Sequence, residues 1–177
     1  MPGKTEKEAL DNFIGFIKET LSCISADWLT AFPESGRLYK VWYNPPARLA
    51  LRSGGHKYLY FTQIFTVGKV PGDARNYKVS TREYSYRLSN SQCIEDDDII
   101  AYHWHPREFE VRYPHLHVRS VKRVHFPTSR VCIEDFARLL IDYYDVKPIL
   151  SQDKYTEILR KNRRAFSRGA TWTVDHS

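Results

Sequence analysis

Hydrophobic positions recur at three- and four-residue spacing over residues 6–31. Leu10, Phe13, Ile14, Ile17, Leu21, Ile24 and Trp28 form one stripe, with Lys7, Glu8, Lys18 and Glu19 off it. This spacing predicts an amphipathic helix that covers a sheet. Phe32-Pro33-Glu34-Ser35-Gly36 then breaks the helix. The period shortens to two in the middle of the chain. Strand-like runs rich in Tyr, Phe, Val and Thr occupy 37–43, 47–52, 57–67, 77–88, 99–105 and 114–120, separated by turn residues such as Asn44-Pro45-Pro46 and Pro71-Gly72-Asp73. Helical spacing returns at Phe136, Leu139, Leu140, Tyr143 and Tyr144, in a helix beginning near Ile133 and ending before Lys147-Pro148. It returns again at Tyr155, Ile158, Leu159 and Phe166. The tail from Ser167 is expected to be loose, with Trp172 a candidate to dock it. The order predicts an α+β fold: an antiparallel meander of five to six strands, an N-terminal helix and two C-terminal helices. At 177 residues it is expected to form a single domain, residues 1–177.

Composition narrows the classes. Glycine is scarce and neither GxGxxG nor GxxxxGK[ST] occurs, which argues against dinucleotide and P-loop sites. No apolar run reaches the ~20 residues of a membrane-spanning helix, so no membrane partner is expected. Met-Pro-Gly-Lys-Thr-Glu-Lys-Glu does not read as a signal peptide. The three cysteines Cys23, Cys93 and Cys132 are widely separated, without a CxxC, and suit a reducing cytoplasm.

The chief anomaly is histidine. Five of the seven lie between residues 103 and 125: His103, His105, His115, His117 and His125. In Ile99–His105, strand alternation puts Ile100, Tyr102 and Trp104 on one face and Ala101, His103 and His105 on the other. In Pro114–Arg119 it separates Leu116 and Val118 from His115, His117 and Arg119. Antiparallel pairing of the two runs would gather four imidazoles on one sheet face.

Three readings stay open. His103, His105, His115 and His117 suit general acid–base catalysis on a phosphodiester without any cofactor, with Arg119 as phosphate clamp and His125 and Arg130 at the rim. The same four suit ligation of a divalent transition metal. His103-x-His105-x4-Glu110 matches the first cupin motif in outline, though flanking glycines and a second motif are missing. The third reading is a solvated polar face.

The chain carries a formal net charge of +6. Lys122, Arg123 and Arg130 follow the histidines, and Arg160 and Arg164 share a face of the last helix with Lys161 and Arg168 adjacent. Such residues suit RNA or another polyanion, whether as substrate or as the partner of a non-catalytic binding module. Tyr43, Tyr113 and Trp172 are candidate stacking platforms. The run Glu95–Asp98 reads as a solvated turn, with divalent-ion binding as the alternative.

Tyr84-Ser85-Tyr86, Tyr102-His103-Trp104-His105-Pro106, Tyr113-Pro114-His115-Leu116-His117-Val118 and His125-Phe126-Pro127-Thr128, followed by a helix from Glu134, resemble the layout of TumE-type toxins of bacterial toxin–antitoxin modules. The resemblance covers roughly residues 77–145. It departs from that family in its His-Trp-His-Pro run and in its extra N-terminal helix and strands. It implies a toxin component acting on a vital target such as RNA and neutralised by an antitoxin protein.

Overall fold

The computed structural model describes residues 2–26, 29–35, 38–43, 49–70, 72–92, 98–106 and 111–169, with the side chains of 34, 35, 43, 74, 75, 122, 123, 168 and 169 outside that description. Among the described residues nine strands form one antiparallel sheet. They are β1 (Pro2–Gly3), β2 (Leu29–Ser35), β3 (Leu38–Tyr43), β4 (Leu49–Ala50), β5 (Tyr58–Val70), β6 (Asp73–Ser89), β7 (Asp98–Trp104), β8 (His115–Val118) and β9 (Val121–Pro127). The order is β2-β3-β5-β6-β7-β8-β9, with β1 paired to β6 and β4 to β5. Three helices, α1 (Glu6–Leu21), α2 (Ile133–Tyr143) and α3 (Gln152–Gly169), complete the α+β fold. None of the described helices is long and apolar enough to cross a membrane.

The sheet exceeds the expected five to six strands because Pro2–Gly3, Leu29–Ser35 and Val121–Pro127 add β1, β2 and β9. Helix α1 stops at Leu21 rather than 31. Its Thr5 cap accepts from the Glu8 amide at 3.1 Å, and Glu8 in turn accepts from the Lys4 amide. At the other end Ile24 and Ser25 donate back to the Leu21 carbonyl and close a turn. Cys23 and Ile24 remain buried from that turn, so the apolar stripe outlasts the helix. The breaker Phe32–Gly36 lies largely in edge strand β2, where Pro33 is tolerated because edge strands leave donors unpaired. Val121–Pro127 adds β9 at the opposite edge. The expected loose tail also starts later, since α3 runs to Gly169. Its Trp172 lies outside the described residues.

All three helices lie on one side of the sheet. Strand β5 alternates cleanly, burying Leu59, Phe61, Gln63, Phe65 and Val67. Opposite them come Leu88, Tyr86 and Tyr84 of β6, then Ile100, Tyr102 and Trp104 of β7. Phe13 of α1 packs on Phe65 at 4.7 Å between ring centroids, and Phe136 of α2 packs on Tyr86 and Tyr102. The polar groups here are largely paired. Tyr86 donates to the Gln63 side chain at 2.9 Å, Gln63 donates to Thr81 at 2.7 Å, and Tyr84 accepts from the Val131 amide. Removal of buried aromatic bulk from such a core costs about 3–5 kcal/mol per residue.

A histidine-lined cleft on the open sheet face

Alternation that buries one set of side chains presents the other set on the far face. The register lines them up in rows across the sheet. Trp42, Thr62, Ser85, His103 and His115 form one continuous row through five strands. Tyr60, Arg87, Ala101 and His117 form the next. On the other side Lys40 pairs with Ile64 and Ile64 with Glu83. His105 stands beside Glu83, with Nδ1 3.7 Å from its carboxylate. Short side chains at Thr62 and Ser85 leave the middle row low. An open cleft of about 650 Å³ results, lined by most of these residues together with Val111 and His125.

All five histidines meet at one end of the cleft. Strands β7 and β8 pair with His103 opposite His115 and Ala101 opposite His117. His103 lies 5.5 Å from His105, 5.7 Å from His115 and 5.0 Å from His117 between ring centroids. His115 and His117 are 5.0 Å apart, and His125 of β9 approaches them at 4.8 and 4.5 Å. A register shift between Leu116 and Val118 in the β8–β9 pair accompanies this approach.

His103, His115 and His117 each offer one ring nitrogen such that all three lie within 4.8 Å of one another. A tetrahedral ion bound at 2.0–2.1 Å needs nitrogens about 3.4 Å apart, so modest ring rotations complete the set. The Nδ1 of His115 lies 3.0 Å from the Tyr113 carbonyl. A carbonyl only accepts, so Nδ1 carries the proton and Nε2 keeps its lone pair. Such an outer hydrogen bond is what orients a ligating imidazole. His103 Nε2 is buried and has no hydrogen-bond partner.

The electrostatics keep these rings neutral. Burial, then the neighbouring His117, Arg87, His105 and His115, drive His103 down to about 2. Burial, then His125 and His115, bring His117 down to about 4, against an opposing pull from Asp98. Burial also lowers His115, opposed by the Tyr113 carbonyl. Neutral imidazole is the form that ligates a metal. An imidazolium ready to donate a proton at neutral pH is disfavoured at all three positions.

The basic residues expected around the cluster are placed elsewhere. Arg130 lies 3.4 Å from the centre of the Trp104 ring, on the helix-packed face, not at the histidine rim. Arg160 and Arg164 belong to α3, in the helix layer, and flank a small groove with Arg138 and Arg163. The positive stripe and the histidines therefore lie on opposite sides of the sheet. The reason is that α3 buries Leu159 and Asn162 against the other helices and leaves Arg160 and Arg164 exposed. Arg119 is exposed in the β8–β9 turn and does not line the cleft. The side chains of Lys122, Arg123, Tyr43 and Arg168 lie outside the described residues, as do Cys93, Glu95–Asp97 and Glu110. Tyr113 is exposed, 6.3 Å from His115. The sheet path is open, ending at β2 and β9, unlike the closed barrel that the cupin-type spacing suggests.

Among the described residues, Arg87 lines the cleft beside the histidines, bonded to Asp98 and 5.6 Å from the Tyr60 ring. Sequence reasoning missed it, along with Lys40, Tyr60, Thr62 and Glu83. A signal existed. Tyr84, Tyr86 and Leu88 read as core, and consecutive strands usually pair, so Glu83, Ser85 and Arg87 follow on the histidine face. Comparison with protein families, with curated proteins and with solved structures finds no match to this chain.

Proposed function

We propose that this protein is a metal-dependent enzyme, most simply a hydrolase. Its ion is a first-row transition metal held by His103, His115 and His117, with His125 as the fourth candidate ligand. The observation that carries the reading is three imidazoles whose ring nitrogens lie within 4.8 Å of one another at the end of an open cleft. A bound ion would supply Lewis acidity and a water acidic enough to attack at neutral pH. The chain's own part is to hold the rings. The Tyr113 carbonyl orients His115, and the β7–β8 register fixes His103 against it. His105 and Glu83 line the same cleft beside the site. Cys23 and Cys132 are free and buried, which supports a cytoplasmic setting.

The test is elemental analysis of untagged protein, with Zn, Mn, Fe and Ni offered in turn. Stoichiometric metal that is lost in His103→Ala and His117→Ala, with folding intact by circular dichroism, supports the centre. Wild-type protein that retains no metal under any loading removes it. A second reading, metal-free cleavage of RNA by histidine acid–base chemistry, draws on His105 and Glu83, whose Nδ1 and carboxylate lie 3.7 Å apart. Cleavage that persists undiminished after exhaustive chelation would select it. A toxin role with an antitoxin partner belongs to this second reading.

A further inference from the structure

Lys40 and Thr62 line the end of the cleft away from the histidines, and Trp42 stands beside them without lining it. Trp42 and Thr62 are directly paired across β3 and β5, and Lys40 lies two residues before Trp42 on the same face. The Lys40 ammonium sits 5.9 Å from the Trp42 ring, which Phe32 backs at 5.6 Å. Trp42 Nε1 and Thr62 Oγ1 are both buried without a hydrogen-bond partner. Each is the sole polar atom of its side chain. Among the described residues Lys40 has no carboxylate partner. Buried polar groups are nearly always satisfied, so a pair of orphans beside an unpaired cation calls for a ligand.

The chemistry of the donors defines that ligand. An indole N–H and an ammonium only donate, and a threonine hydroxyl can donate. Three donors including one charge are complementary to an oxyanion. The distance follows from the sheet. Thr62 and His103 share a row and are separated by two strand spacings of about 4.8 Å, so roughly 10 Å divides the nearest residues of the two ends, with Lys40 and Trp42 one strand further out on one side and His115 and His117 on the other. Only Ser85 lies between them in the row.

We infer that Lys40, Trp42 and Thr62 form an oxyanion subsite. It takes a carboxylate or phosphate of the substrate, carried about 10 Å or more from the atom that meets the metal. The inference rests on the proposed metal centre for the far end of that substrate, and on the orphaned donors alone for the near end. The substrate class is thus an extended organic acid or phosphate ester, held by its charged end and attacked at the other.

The experiment is calorimetric titration of the untagged protein, apo and metal-loaded, with three probes. Inorganic phosphate and suberate report the oxyanion subsite and distinguish phosphate from carboxylate by which binds tighter. Acetohydroxamate reports the metal. Lys40→Met and Thr62→Val should each weaken the tighter-binding anion about tenfold. Metal content, acetohydroxamate affinity and thermal midpoint should stay at wild-type values. Anion affinities equal in wild type and both variants, or no anion binding at all, overturn the subsite. If metal and acetohydroxamate bind in that case, the centre survives without it. If no metal binds but Lys40-dependent anion binding persists, the subsite stands and the metal reading falls.

Discussion

The two faces of one sheet solve opposite problems with the same strands. On the helix-covered face, Phe61, Tyr84, Tyr86 and Phe136 stack into a core, and the polar atoms of Gln63 and Tyr86 satisfy each other. On the open face, Trp42, Thr62 and His103 carry buried polar atoms that nothing among the described residues satisfies. The helix layer has orphans too, at Glu134 Oε2 and Asn162 Oδ1. There, however, the other polar atom of each group is bonded, Glu134 Oε1 to Thr20 and Asn162 Nδ2 to Thr20 and Phe16. Stability is thus concentrated on one side and unfulfilled binding capacity on the other. Local departures from polar satisfaction are where function is expected.

The sharpest way to break this contrast is to truncate one residue on each face. Phe136→Ala should cost about 3–5 kcal/mol of folding stability in urea denaturation, because it empties fully buried volume between α2 and the sheet. His117→Ala should leave the urea midpoint of the apo protein close to wild type, yet weaken metal binding about 100-fold or more by competition with a chelator. Comparable destabilisation by both would mean that the open face is structural.

Acid provides the next contrast. His117 is held at about 4 in the folded chain and titrates near 6.5 when unfolded. The unfolded state therefore takes up the proton first as pH falls. The stability associated with the neutral ring is present above about 6.5 and is lost progressively towards pH 4, with His103 extending the loss lower. Urea midpoints of the apo protein should fall across this window, and His117→Gln should flatten the slope. A midpoint that is constant between pH 7 and 4.5 would contradict the burial assigned to these rings.

The smallest effect should come from the helix layer's surface. Arg160→Ala with Arg164→Ala removes exposed charge on the side of α3 away from the cleft, and should change stability by less than about 0.5 kcal/mol. Metal content and cleft binding should not move. A loss of activity in that double variant, read with any substrate found, would restore the expectation that α3 and the histidines act together.

Much of the fold was legible because burial imposes a period. The spacing of Phe136, Leu139 and Leu140 located α2, and the alternation of Leu59, Phe61 and Phe65 located β5. The errors fell where apolar residues serve the core from irregular backbone. Ile24 continues the α1 stripe from a turn, so the helix looked ten residues longer than it is. Pro33 looked like a breaker because an edge position cannot be seen in one dimension. Strand β9 was hidden because its Val121, Val124 and Phe126 are exposed and lack the half-buried alternation of the inner strands. The histidine set was legible for the same reason as the core. A period of two that buries Ile100, Trp104 and Leu116 must turn His103, His105, His115 and His117 the other way.

The amino-acid order by itself determined the α+β class, the segregation of aromatic from imidazole side chains, and the gathering of histidines on two neighbouring strands. These are local consequences of strand and helix periodicity. Only the tertiary structure decided that His125 joins them from β9, that Glu83 and Arg87 stand beside them, and that Lys40 and Thr62 line the far end of the cleft. It also decided that Arg130, Arg160 and Arg164 lie on the other side of the sheet. Those placements depend on strand register and on which face the helices cover, and both are set by the packing of residues far apart in the chain.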